Sequence, residues 1–271
     1  MKVLIKGAGD LASGIACRLH RCGFQVVMTE ISQPTTVRRT VAFSRAVYEG
    51  EAAVEEIIGK LCKSLEEAEE IVGKDQIAVV VDPECRIRKT WKPDVLVDAV
   101  IAKTNTGTSI SDAETVIGVG PGFTAGKDCH CVVETQRGHH LGRCIWEGSA
   151  APDTGVPGNI GGYSLERLVR SPGTGVFYGT AEIGDEVKKG QEVGYVAAGT
   201  ERIPVLAQID GVLRGLLQDG VNVTEGMKAG DVDPRDVKAH CDTVSDKARA
   251  IGGGVLEGIL YLAKVRGQIR W

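Results

Sequence analysis

Val3-Leu4-Ile5-Lys6-Gly7-Ala8-Gly9-Asp10-Leu11-Ala12, followed by a helical stretch and then Gln25-Val26-Val27-Met28-Thr29-Glu30, decides the fold class. An apolar strand runs into Gly7-x-Gly9-x-x-Ala12, the spacing of a dinucleotide-binding turn. Gly7 permits the tight bend, Gly9 lets backbone approach a pyrophosphate, and Ala12 keeps the helix close to the sheet. Leu11, Ile15, Leu19 and Cys22 share one helical face, and Gly23 stands where a helix stop belongs. Glu30 ends the next strand at the distance where a carboxylate accepts from a ribose hydroxyl, which favours an unphosphorylated ribose. Asp10 cuts two ways: its charge repels a phosphate, or it caps the helix and occupies amides a pyrophosphate would use. Arg38 and Arg39 could pair with phosphates or lie solvated.

Three more apolar runs extend this reading. Ile77-Ala78-Val79-Val80-Val81 ends in Asp82-Pro83. Asp94 to Ile101 leads to Lys103-Thr104-Asn105-Thr106-Gly107-Thr108. Thr115-Val116-Ile117-Gly118-Val119 leads to Gly120-Pro121-Gly122-Phe123-Thr124-Ala125-Gly126-Lys127. Continuous apolar strands followed by polar loops mark a parallel sheet covered on both faces. Ser64-Leu65-Glu66-Glu67 reads as a capping box opening a helix to about Val72. Ser32-Gln33-Pro34 suits a helix start, and Ala53 to Cys62 suits either strand or helix.

Ligands bind such sheets at the carboxyl ends of the strands. The expected site therefore gathers Gly7, Gly9, Asp10, Ala12, Glu30, Lys103, Asn105, Gly120, Gly122 and Lys127. Gly126-Lys127 is not a phosphate loop, because Pro121 occupies the first glycine position and Asp128 the hydroxyl position.

Cys129-His130-Cys131 opens a further strand, and two-residue alternation puts both thiols on one face. His139, His140 and Cys144 follow a turn at Arg137-Gly138. Cys129 and Cys131 are the candidate ligands for a soft metal, although no closed zinc spacing is present.

The 271 residues suit two domains, and a net charge of −4 offers no polycationic surface for nucleic acid or anionic membrane. No apolar run is long enough to span a bilayer. The glycine turn arrives before a secretory leader could form, and the eight cysteines show no secreted disulfide framework. A cytoplasmic location is expected.

Residues 148–162 read as a linker rich in glycine and proline. Beyond it, Gly175, Val176, Gly179, Gly184, Val187, Gly190, Gly194 and Val196 recur at a constant offset as Gly211, Val212, Gly215, Gly220, Val223, Gly226, Gly230 and Val232. This is a duplicated all-β unit. Gly184 to Gly190 resembles the turn of lipoyl and biotinyl carrier domains. Those carriers modify a lysine between the halves, and Ala197 to Pro204 contains none, so neither lipoyl nor biotin is expected. Residues 245–271 read as helical, interrupted by Gly252-Gly253-Gly254 and favouring close packing there over a hinge.

The expected fold is α/β: a Rossmann-like doubly wound parallel sheet, a small barrel-sandwich hybrid domain of the lipoyl/biotinyl kind, and a C-terminal helix. The boundaries are 1–150, 164–236 and 237–271, with the last segment packing back on the first domain.

Gly7 to Gly14, Ala102 to Thr108, Gly118 to Phe123 and Asp246 to Gly254 together resemble the accessory proteins encoded with selenium-dependent molybdenum hydroxylases, also called the YqeB family. The resemblance covers essentially the whole chain. It implies a role in maturing a molybdenum hydroxylase around its cofactor or labile selenium, with the hydroxylase apoprotein as partner. It supplies no catalytic residues. A nucleotide-bearing small molecule is the expected ligand, molybdopterin dinucleotide or NAD. In this reading Lys103, Asn105 and Lys127 contact phosphate or pterin, while Cys129 and Cys131 handle selenide or metal. Two other readings stand beside it: an NAD-dependent oxidoreductase, and a non-enzymatic scaffold docking the hydroxylase. Whether the chain catalyses a reaction or forms a homo-oligomer is left open.

Overall fold

A computed structural model describes residues 1–268. The chain divides into two compact units, residues 1–32, 42–154 and 244–271 forming the first and residues 33–41 and 155–243 the second.

The first unit carries β1 (Lys2–Lys6), α1 (Asp10–Arg21), β2 (Gln25–Glu30), α2 (Ala46–Glu49), β3 (Glu51–Val54), β4 (Ile57–Cys62) and α3 (Leu65–Gly73). It continues through β5 (Ile77–Val81), α4 (Arg88–Trp91), β6 (Val95–Asp98), β7 (Thr115–Val119), β8 (Cys131–Val133) and β9 (Cys144–Ile145). Its strands form one nine-stranded sheet in the order β3-β4-β5-β2-β1-β6-β7-β8-β9. The strands from β4 to β8 run parallel, whereas β3 and β9 close the two margins in antiparallel pairs.

The expectation of a doubly wound, all-parallel sheet is therefore corrected. The sheet is mixed, and the crossovers from β6 to β7 and from β7 to β8 are loops without helices. The physical reason is visible at Gly118 in β7. A Cβ there would lie 2.5 Å from the Phe123 ring, so the bare strand lets a loop aromatic lie where a crossover helix would pack. Phe123, Ala125, Cys129 and Ala150 join Leu4, Leu96, Val116 and Val132 in one buried cluster on that face.

The last helix, α5 (Asp246–Val265), covers the opposite face and packs on α1. Gly14 and Ala248 meet there: a Cβ on Gly14 would lie 2.6 Å from that of Ala248. The expected interruption at Gly252-Gly253-Gly254 does not occur, and α5 is continuous through it. Ser245 caps α5 by accepting from the Ala248 amide at 3.2 Å. At α3, Ser64 accepts from the Glu67 amide, while Glu67 reaches back to the Lys63 amide rather than to that of Ser64. The ambiguous stretch before α3 is the β3–β4 hairpin, and no helix begins at Ser32.

The second unit contains β10 (Leu168–Arg170), β11 (Gly175–Gly179), β12 (Glu186–Val187), β13 (Glu192–Ala198), β14 (Glu201–Leu206), β15 (Gly211–Leu216), β16 (Asn222–Val223) and β17 (Lys228–Asp233). The sequence repeat maps onto β11-β12-β13 and β15-β16-β17. Each half lends its short strand to the other: β12 pairs with β15, and β16 with β11. The result is two four-stranded antiparallel sheets, β10-β17-β15-β12 and β14-β13-β11-β16. This corrects the expected lipoyl/biotinyl-like barrel-sandwich. Strand β10 lies outside the repeat, and residues 33–41 belong to the same unit, with Leu216 donating its amide to the Val37 carbonyl at 2.8 Å.

Arg167, Arg214 and Arg235 surround Asp231 and Asp233 within this unit. Burial on its own would raise the Asp233 carboxyl. Hydrogen bonds from Arg235 and the charges of Arg214 and Arg235 prevail and hold it at about 2.

Among the described residues, no helix is long and apolar enough to cross a membrane.

Candidate functional site

Strand β1 lies between β2 and β6. The chain leaves it through α1 toward β2 and later returns to its other side as β6. The crevice at the carboxyl ends of β1 and β6 is thus a topological switch point, where loops diverge and leave room for a ligand.

Three backbone segments meet there. Gly7 has φ +96°, and a Cβ on it would lie 3.1 Å from the Ala99 carbonyl oxygen. Gly122 has φ +106°, and a Cβ would lie 2.7 Å from Thr104 Cα. Only glycine combines that left-handed backbone with such close approach. In the intervening loop, Ile101 and Lys103 hold φ of 58° and 66°. The left-handed conformation is costly for a β-branched residue and marks a loop fixed by its surroundings.

The glycine turn is held from several sides. The Ala8 amide donates to Glu30 Oε2 at 2.9 Å, and the Ile31 amide to Glu30 Oε1 at 2.8 Å. Burial pushes the Glu30 carboxyl up, against the opposing pull of those two amides. The Ala8 carbonyl accepts from Ser44 N and from Ser13 Oγ, and Ser13 Oγ in turn accepts from Phe43 N. Asp10 is not the helix cap. Gly9 is the N-cap of α1, in extended conformation and without a side chain of its own to cap the helix, while Asp10 is its first helical residue. Ala12 is buried beneath.

A group missed in the sequence reading anchors the neighbouring loop. Lys6, at the end of β1, is buried and donates to Asp98 Oδ2 at 3.2 Å and to Thr106 Oγ1 at 2.8 Å. Thr108 Oγ1 donates to the same Asp98 oxygen at 2.6 Å. Asn105 shapes the loop, donating to the Thr108 carbonyl and accepting from the Gly107 and Thr108 amides. A cavity of about 220 Å³ opens beside this group, lined by Lys6, Cys85, Arg88, Thr106, Thr108 and Asp112 among others. A charged residue at the end of an apolar strand looks solvated in sequence. Only the parallel register of Lys6 against Asp98 reveals the pair.

A second cation comes from α5. Lys247 is half-buried, and its ammonium is pushed down first by burial and then by Arg137, against the opposing charges of Asp10, Glu134 and Asp153. Lys103 pairs with Asp153 at 2.8 Å.

Of the remaining expected residues, Gly120 stands at the carboxyl end of β7, beside β6, and the others lie elsewhere. Gly120, with φ +82°, turns against Thr135 Oγ1. Lys127 is exposed on the turn preceding β8, where the His130 amide bonds the Val116 carbonyl at the amino end of β7. Cys129 lies before β8 begins, in the buried cluster that contains Val132. Cys131 faces the other way, toward α5, where a Cβ on Gly258 would lie 3.6 Å from its sulfur. The two thiols do not share a face, because the strand starts at Cys131 and not at Cys129. Burial pushes the Cys129 thiol up to about 11. Among the described residues, no group of three or more His, Cys, Asp or Glu is placed to hold a metal.

No protein-family model matches the chain. It is 47% identical over 260 residues to "Uncharacterized protein YqeB" of Escherichia coli K12, an alignment covering 96% of this chain and 47% of that protein. The chain thus spans about half the length of this curated relative. Among solved structures, an aspartoacylase family protein from Mesorhizobium loti is 12% identical with a TM-score of 0.27, covering 86% of this chain and 84% of that one. The ectoine utilization protein EutE from Ruegeria pomeroyi is 12% identical with a TM-score of 0.29, covering 86% of each chain. Likeness of that degree supports no argument about fold or activity.

Proposed function

The chain is a homologue of YqeB, and from that footing we propose that it is an accessory factor in maturing a selenium-dependent molybdenum hydroxylase. In this role it holds a nucleotide-bearing ligand at the carboxyl edge of its mixed sheet. A dinucleotide form of molybdopterin suits the edge, because it presents a pyrophosphate and a ribose together. The observation that carries the reading is the meeting of three backbone segments, Gly7 on Ala99 and Gly122 on Thr104, beside the N-terminus of α1, whose N-cap is the glycine Gly9. The partial positive charge at a helix start favours an anion.

The residues divide the work by chemistry. The amides after Gly9 face the pyrophosphate, and Lys247 offsets the charge of Asp10 beside it. Glu30 keeps its bonds to Ala8 and Ile31, and a carboxylate retains further lone pairs for a ribose hydroxyl. The cavity beside Lys6 is below the roughly 300–1,000 Å³ of a full ligand pocket, so it accommodates only a small polar group of the ligand.

The test is mass spectrometry of small molecules released from protein isolated together with its hydroxylase, followed by calorimetric titration of what is released. The reading expects a pterin dinucleotide, and it expects Gly9→Asp to abolish binding while preserving the fold, since an N-cap Asp satisfies the same amides. Protein that retains no nucleotide or pterin, and gives no binding heat, overturns it.

A further inference from the structure

Cys131 and Cys144 occupy adjacent antiparallel strands. The register Val132↔Ile145 and Val133↔Cys144 sets them diagonally on one face. Both sulfurs lie against the same residue of α5, Gly258. The two sulfurs are not equivalent. Cys131 is fully buried, whereas Cys144 is 7% exposed and lies close enough to Glu257 to feel its charge. Cys144 Sγ also donates to the Gly254 carbonyl at 3.1 Å. Helix α5 passes over the pair at Gly258, whose missing side chain leaves both sulfurs clear: a Cβ there would lie 3.6 and 3.7 Å from them.

The surroundings permit the sulfurs to move together. Strand β9 is a two-residue margin of the sheet, paired only with β8. Its displacement toward β8 disturbs no central ladder. A sealed thiol beside a more accessible one, with a base next to the latter, is the asymmetry that thiol–disulfide exchange requires.

We propose that Cys144 and Cys131 form a redox-active dithiol that exchanges with small-molecule disulfides, Cys144 attacking and Cys131 resolving. Cys144 gives its proton to Glu257, and its thiolate attacks one sulfur of the soluble disulfide. A mixed disulfide forms on Cys144, the sulfur–sulfur bond of the oxidant breaks, and one thiolate leaves and collects the proton. Cys131 then attacks Cys144 Sγ and expels the second thiolate, which leaves as a thiol carrying the Cys131 proton. The protein pair loses two electrons and two protons, and the oxidant gains both. This inference is independent of the nucleotide site.

The experiment uses the full chain carrying Cys22→Ser, because Cys22 is an exposed cysteine that would take up the oxidant on its own. Reduced protein is equilibrated anaerobically in glutathione buffers of graded ratio, quenched in acid, alkylated and mapped by peptide mass. The expected result is a Cys131–Cys144 cross-linked peptide that appears with oxidised glutathione and disappears on reduction. Cys131→Ser should instead accumulate a glutathione adduct on Cys144, and Cys144→Ser should leave Cys131 unmodified. Two thiols that stay free at every ratio, or an adduct on Cys131 in the Cys144→Ser chain, overturn the proposal. Circular dichroism identifies a variant that fails to fold, and the mapping of the chain with both thiols intact then decides.

Discussion

The backbone amide of Ala8 donates to the carboxylate of Glu30 at 2.9 Å, so the end of β2 holds the middle of the glycine turn after β1. An acid at this position serves the empty fold before it serves any ligand. Glu30→Ala leaves the exposed Ile31 amide and the partly buried Ala8 amide without their acceptor, and stranding the Ala8 donor costs about 1–3 kcal/mol. Urea unfolding should register that loss together with weakened ligand binding.

The same residue gives a pH dependence with a defined sign. Burial raises the Glu30 carboxyl above its ordinary value of 4.5 in the folded chain. Its titration contribution to stability is therefore fully present below that ordinary value and is lost as pH rises through the raised one. Glu30→Gln should flatten that segment of the stability–pH curve. An unchanged curve would show that the carboxyl does not titrate differently in the folded and unfolded chains.

Lys6 and Asp98 form a buried pair, with side chains 7% and 2% exposed. Lys6→Met strands the Asp98 charge beside Thr108, and breaking such a pair typically costs about 3–5 kcal/mol. The double variant Lys6→Met, Asp98→Leu should recover part of the loss by removing the orphaned charge. A double-mutant cycle on denaturation midpoints measures the coupling.

What the sequence disclosed follows from which signals are local. Val3 to Ile5, Ile77 to Val81 and Thr115 to Val119 are short apolar runs bounded by turn residues, so strands and their polar ends were legible. The loops on Gly7, Lys103 and Gly122 could be expected to meet because parallel strands share a carboxyl edge. The margins were not legible. Glu51 to Cys62 alternates too weakly to separate hairpin from helix, and nothing local says that β9 turns antiparallel. The absent helices between β6 and β8 depend on Phe123 docking on Gly118, a tertiary contact that periodicity does not encode. Lys6 and Lys247 escaped for the same reason: their partners lie in distant segments.

In the second unit, Asp233 sits at about 2, below its ordinary 3.8. A depressed carboxyl contributes stability that is present above its unfolded value and lost as pH falls through the folded one. Acid titration of unfolding should therefore show a loss between about 3.8 and about 2 that Asp233→Asn abolishes. At neutral pH the same variant should be destabilised, because Arg214 and Arg235 lose the carboxylate they bond.

The three consecutive glycines of α5 separate packing from propensity within a single turn. Gly253 has no heavy atom within 4 Å of where its Cβ would lie, so the position merely bears the helix-weakening cost of glycine. Gly253→Ala should stabilise the chain by roughly 0.5–1 kcal/mol. Gly254 is different: its Cβ would lie 2.0 Å from the Gly142 carbonyl oxygen and 3.0 Å from Val133 Cγ1. Gly254→Ala must push α5 off the segment between β8 and β9, and overpacking of that kind costs about 1–3 kcal/mol. It should also disturb the Cys144 bond to the Gly254 carbonyl. Urea midpoints of the two variants should move in opposite directions. Movement in the same direction would mean that α5 does not rest on Gly142, and that the glycines serve flexibility rather than close approach.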